Sequence, residues 1–144
     1  MSKFWLLAVV GAAAALAAAV TAEAKTPSLR GTRWVCEQQM FVADAGTETQ
    51  TYTLEFTSAK AFVFKSRWVL PAHAAMYVNP DGSVDTIPES FSESERKGTW
   101  RYKSGELTLT FEDGETVTLL YLSGNLIGSD PYGLNGGHRV YEKQ

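Results

Sequence analysis

Apolar and polar residues alternate with a period of two along most of this chain, the pattern of half-buried strands rather than of helices. The clearest run is Thr51-Tyr52-Thr53-Leu54-Glu55-Phe56-Thr57, which gives Tyr52, Leu54 and Phe56 to one face and threonine and glutamate to the other. The same alternation organises the stretch from Gly98 to Gly128, through Trp100 and Tyr102, then Leu107, Leu109 and Phe111, then Val117, Leu119 and Tyr121. Between these runs lie Lys103-Ser104-Gly105-Glu106, Asp113-Gly114 and Ser123-Gly124-Asn125, where glycine and asparagine supply the positive φ of tight hairpins. The stretch reads as an antiparallel meander.

On either side of it the pattern continues with interruptions. Gly31 precedes a β-favouring run from Thr32 towards Val42 that contains Trp34 and Cys36. Ala61 to Leu70 places Phe62, Phe64 and Trp68 on one parity and Lys65 and Arg67 on the other, and Pro71 ends it. From Ala72 to Ser94 the alternation weakens. Ala74 to Val78 fits a short strand or a helical turn equally, Asn79-Pro80-Asp81-Gly82-Ser83 is a turn, and Glu89 to Glu95 reads as a solvated, mobile loop in which Phe91 needs a packing site. Ser129 to Gly137 forms a last turn-rich connection before a final strand from His138 to Lys143. Roughly eight to ten strands joined mostly by short hairpins predict an all-β, up-and-down antiparallel barrel, with a β-sandwich as the alternative. Pairing the first strand with the last would remove exposed sheet edges, which favours the barrel.

The N-terminus changes the picture of where this domain works. Lys3, the apolar run Phe4 to Val20 and the small-x-small triplet Ala22-Glu23-Ala24 form the pattern of a secretory signal, with cleavage expected after Ala24. Residues 1–24 are thus expected to be removed and residues 25–144 to form one domain, exported to the periplasm or outside the cell, with no membrane anchor left behind. The single cysteine, Cys36, cannot form an internal disulfide and is expected to be a small buried hydrophobe. A formal net charge of −3 argues against nucleic acid or acidic lipid as a partner.

Three pieces carry a family resemblance: Gly31-Thr32-Arg33-Trp34, the meander that begins at Gly98-Thr99-Trp100, and Arg139-Val140-Tyr141-Glu142-Lys143 at the end. Together they resemble the calycin group, the lipocalins and fatty-acid-binding proteins. Lipocalins open with Gly-x-Trp and lay an arginine of the last strand across that tryptophan, whereas here the opening has one extra residue. Fatty-acid-binding proteins end in Arg-x-Tyr, which holds a ligand carboxylate, and Arg139 with Tyr141 fits that pattern. The resemblance implies a secreted lipocalin-like barrel with a small apolar ligand. It gives Arg139 two roles, a structural cover on the Trp34 indole or a ligand anchor beside Tyr141. The structural role is the expectation, because the chain has a first-strand tryptophan to receive the guanidinium.

The remaining chemistry is sparse. His73 and His138 have no cysteine or histidine at ligand spacing, so no metal site is expected, and no nucleophile elbow or other catalytic signature occurs. Asn79 to Asp85 lacks the ligand spacing of a calcium loop and reads as a turn. Alternation points Trp34, Tyr52, Phe56, Phe62, Phe64, Trp68, Trp100, Tyr102, Phe111 and Tyr121 inward, with Leu120 and Leu122 on the outer face. A barrel of about eight strands either fills with such side chains or holds one small ligand. The expected function is non-enzymatic binding of a small apolar or amphipathic molecule, with no cofactor, through Tyr52, Phe64, Trp68, Tyr102, Arg139 and Tyr141. The alternative is a protein-interaction module, such as a protease inhibitor or envelope partner, with a filled core and working loops.

Overall fold

The computed structural model describes residues 28–144, so the signal segment read at residues 1–24 lies outside the described residues. Ten strands follow one another: β1 (Arg33–Val42), β2 (Gly46–Phe56), β3 (Ala61–Leu70), the short pair β4 (His73–Ala74) and β5 (Thr86–Ile87), then β6 (Ser90–Lys103), β7 (Glu106–Phe111), β8 (Thr116–Leu122), β9 (Asn125–Ser129) and β10 (His138–Lys143). Eight of them close into an antiparallel barrel in the order β1-β10-β9-β8-β7-β6-β3-β2, an up-and-down meander interrupted only by the β4–β5 hairpin. Among the described residues the only helical element is a 3₁₀ turn at Leu134–Gly137, with Asn135 and Gly136 in left-handed conformations. The chain's first and last strands do close the ring, in the register Trp34↔Lys143 and Val35↔Glu142.

Local chemistry explains the joints. The β6–β7 and β8–β9 loops are two residues each, Ser104-Gly105 and Ser123-Gly124, with φ of 52° and 83° in the first and 52° and 82° in the second. Two consecutive positive φ values give the hairpin turn whose twist matches that of its strands, and glycine at the second place removes half the steric cost.

The lower end of the barrel is sealed by aromatics. Phe56 packs edge-to-face on Trp100 with centroids 5.4 Å apart, and Trp34 on Tyr121 at 6.4 Å. The segment before β1 folds under this end, burying Leu29 and donating from Gly31 N–H to the Phe56 carbonyl at 2.7 Å. The indole N–H groups are satisfied locally, Trp34 Nε1 to Thr32 Oγ1 at 2.8 Å and Trp100 Nε1 to the Ser58 carbonyl at 3.1 Å. Phe62, Leu107, Leu109, Phe111, Leu119 and Leu126 complete the core.

The upper end differs, because the walls are unequal. β1, β2, β3 and β6 run for 10, 11, 10 and 14 residues, while β7 to β10 run for 6, 7, 5 and 6. β6 begins at Ser90, not after Glu95, which corrects the reading of Glu89 to Glu95 as a mobile loop. Its first half is fully exposed yet pairs with β3 from Leu70↔Ser90 onwards, because ladder hydrogen bonds need backbone and not apolar side chains. Phe91 finds no packing site in the core. It is 63% exposed, with the Arg67 guanidinium 5.3 Å from its ring centre. Ala75 to Val78 is neither strand nor helix but a bend inside the β4–β5 hairpin.

Candidate functional site

Side chains of the upper half line a cavity of about 520 Å³ that is open on one side. Its apolar wall is Leu54 from β2, Phe64 from β3, Leu109 and Phe111 from β7, and Val117 and Leu119 from β8, while Arg139 and Tyr141 from β10 supply its polar side. The opening is lateral. The β8–β9 ladder stops at Leu120↔Ile127, so the start of β8 and the end of β9 part, and Thr116, Thr118, Ser129 and Pro131 line the gap. Gly128 lies beside this gap, where a Cβ would stand 2.3 Å from Leu119 Cδ2. A bare backbone here is what lets Leu119 swing against β9.

Arg96 stands at the mouth. Its guanidinium lies 3.7 Å from the centre of the Phe111 ring and is clamped by Asp113 Oδ2 at 3.0 Å and Glu115 Oε2 at 2.7 Å. The hydrogen bond from Arg96 to Glu115 holds the guanidinium pKa above its ordinary value.

Arg139 lies deeper. Its guanidinium is centred 3.7 Å over the Tyr52 ring, not over Trp34, which corrects the expected closure contact. The reason is register. Trp34 pairs with Lys143, and Arg139 sits four residues further along β10, roughly 13 Å up the strand. Trp34 is therefore a lower-end residue packed on Tyr121, and Arg139 is a lumen residue on the same face as Tyr141.

A buried guanidinium requires compensation, and an internal acid provides it. The Asp130 side chain, fully buried, brings Oδ1 to 3.3 Å from Arg139 Nε. That N–H is not aimed along the contact and has no hydrogen-bond partner, so the attraction is Coulombic. Asp130 Oδ2 accepts from the Leu134 backbone at 2.7 Å, and Gln38 Nε2 donates to Asp130 Oδ1 at 3.3 Å and to Gln50 Oε1 at 3.0 Å. Tyr52 completes the net by donating to Gln50 Oε1 at 2.8 Å. Burial pushes the Tyr52 hydroxyl pKa up, with Arg139 pulling the other way. Burial likewise pushes Tyr141 up to about 12, again opposed by the neighbouring Arg139. Both phenols are thus hydroxyls, able to donate, at any ordinary pH.

Of the residues expected to contact a ligand, Phe64, Arg139 and Tyr141 line the cavity, and Tyr52 supports them by stacking on Phe64 at 6.1 Å and lying beneath Arg139. Trp68 and Tyr102 do not join them. Trp68 stands above the core, edge-to-face with Tyr132 at 5.5 Å, and Tyr102 pairs with Leu107 near the sealed end. Sequence reasoning missed Asp130, Gln38, Gln50 and Arg96. The parity that places Trp34, Cys36 and Tyr52 inward also places Gln38 and Gln50 inward, so that signal was present; for Asp130, inside a Pro-Gly turn, it was not.

Other places offer less. A shallow outer depression of about 380 Å³ over β2, β3 and β6 has cations already matched, Lys65 by Glu55 at 3.2 Å and Arg67 by Glu93 at 3.0 Å. In the Asn79–Asp85 turn, Asp85 accepts from Asn79 Nδ2 at 3.0 Å and from the Tyr77 hydroxyl at 3.2 Å. Cys36 is buried, and burial pushes its thiol pKa up, against a reactive thiolate. No known protein family, curated protein or solved structure matches this chain, so the functional reading rests on the lumen.

Proposed function

We propose that this protein is an exported, lipocalin-like binder that holds one small apolar or amphipathic molecule in its barrel, without catalysis. The observation that carries this reading is the cavity of about 520 Å³, with six apolar side chains on one side and Arg139 and Tyr141 on the other. Ligand pockets typically span about 300 to 1,000 Å³ and combine such walls with a few fixed polar groups. The closed eight-stranded barrel is compatible with the calycin group, to which the lipocalins belong. The test is native mass spectrometry of the folded protein offered lipid extracts and haem, with a Leu119→Trp variant beside it. Retained mass that the variant loses is the expected result, and no retained mass under fold-preserving conditions would sink the proposal.

A second reading, a protein-interaction module, is supported by the β4–β5 hairpin. Met76, Tyr77 and Val78 are 79%, 60% and 66% exposed, on a loop fixed by Asn79 N–H to the Ser83 carbonyl at 2.7 Å and Ala75 N–H to the Asp85 carbonyl at 2.8 Å. Apolar residues held out on an ordered turn lose little entropy on docking. Chemical cross-linking in the native envelope, compared with a variant carrying serine at all three positions, tests it; a partner captured equally by both proteins would remove the hairpin from consideration.

A further inference from the structure

The polar side of the lumen is already neutralised by the protein itself, and this limits what it accepts. We propose that the cavity takes an uncharged amphiphile whose head carries a hydroxyl or carbonyl oxygen, and that Asp130 sets this preference by standing where a ligand carboxylate would otherwise stand. The inference rests on the ligand-binding reading above.

Arg139 projects from β10 into the lumen with only 13% of its side chain exposed, so its charge must be balanced nearby. Asp130 does this from behind the lining, with its side chain fully buried. Its carboxylate is fixed by the Leu134 N–H and by Gln38, and its backbone is tied across the loop by Asp130 N–H to the Gly137 carbonyl at 2.9 Å and Gly133 N–H to the Asp130 carbonyl at 3.1 Å. A ligand carboxylate would therefore place a second anion beside a guanidinium that has its partner, in a site with little water to screen the repulsion. The other guanidinium at the cavity, Arg96, is no substitute, since Asp113 and Glu115 both hold it. A protonated amine fares no better against Arg139. The Tyr141 hydroxyl accepts from Arg139 and keeps its own O–H to donate, which with the apolar wall suits a neutral oxygen at the end of a hydrocarbon chain.

The experiment compares decan-1-ol, decanoate and decylammonium on the folded protein at neutral pH, by displacement of a fluorescent lumen probe. The alcohol is expected to bind at least about tenfold more tightly than either ion, a difference of about 1.4 kcal/mol. In Asp130→Asn, the ratio of decanoate to alcohol affinity is expected to rise at least about tenfold over that of the wild-type protein. Decanoate or decylammonium equal to or tighter than the alcohol in the wild-type protein overturns the charge assignment and leaves the lumen reading standing. Binding of none of the three to folded protein overturns both. Should Asp130→Asn fail to fold, the wild-type ranking decides alone.

Discussion

The lower and upper ends of this barrel are built from the same strands and solve opposite problems. Below, aromatic rings close the interior, and the Tyr102 hydroxyl is the one side-chain oxygen buried there without a hydrogen-bond partner among the described residues. Above, β1, β2, β3 and β6 overreach β7 to β10, and the space between is closed by a buried polar net and by the Asp130–Gly137 loop. Strand length, rather than composition, decides where the cavity lies. Matched walls give packing; mismatched walls leave room beneath the loop, and the opening lies where β8 and β9 part.

The comparison can be broken hardest at the sealed end. Phe56, 1% exposed and packed on Trp100, should cost about 4 kcal/mol when replaced by alanine, because its lost burial leaves a cavity that the rigid ring of strands cannot collapse. Urea unfolding with an unchanged slope and a lowered midpoint is the expected record. At the open end the corresponding change is Asp130→Asn, which keeps the shape and removes the charge opposite Arg139. It should destabilise by about 3 kcal/mol, the lower part of the range for a buried pair that loses one partner, and Asp130→Asn with Arg139→Met should recover part of that loss. A double-mutant cycle showing no coupling would mean that the two ends do not differ in the way described.

The next effect is smaller and is read by pH. Tyr141 is buried and its pKa is pushed from 10.0 to about 12, so the folded protein keeps a proton that the unfolded chain gives up between those values. Its contribution is fully present below about pH 10 and is lost as pH rises towards 12, by about 2 to 3 kcal/mol at most. Stability measured across that alkaline window should fall more steeply in the wild-type protein than in Tyr141→Phe. The smallest effect belongs to the overhang of the long wall. Arg67 and Glu93 are more than half exposed, so Glu93→Gln should change stability by less than about 1 kcal/mol, and salt should abolish most of that difference.

The alternation in Tyr52-Leu54-Phe56 and in the Gly98–Gly128 meander made the barrel legible, because an antiparallel wall with one wet face writes its period directly into the chain. The exposed half of β6 was illegible for the converse reason: Ser90 to Glu95 has water on both faces, so its strand state is recorded in pairing with β3 and not in its side chains. The sequence marks Arg139 as important and points it to Trp34. That error came from register, which depends on how β1 and β10 slide past each other and leaves no mark in either segment alone. Asp130 was hidden within a turn signal that accounted for it fully. Its burial comes from the loop folding back against β1, where Gln38 donates to Asp130 and Asn135 to Gln38, a contact between ends of the chain that no local pattern encodes.

The seam between β1 and β10 also has a history in time. The joints on either side of it link strands that follow one another closely, and such hairpins form on a scale of about 1 to 10 μs. The seam instead joins Trp34 and Val35 to Lys143 and Glu142, bringing together almost the whole described chain for two register pairs. Closing so long a loop costs entropy before any contact returns it, so the ring is expected to shut last, as an already formed meander curls round. Until then the sheet has two open edges, and the moments before closure are when a neighbouring chain in the same state could pair with it instead.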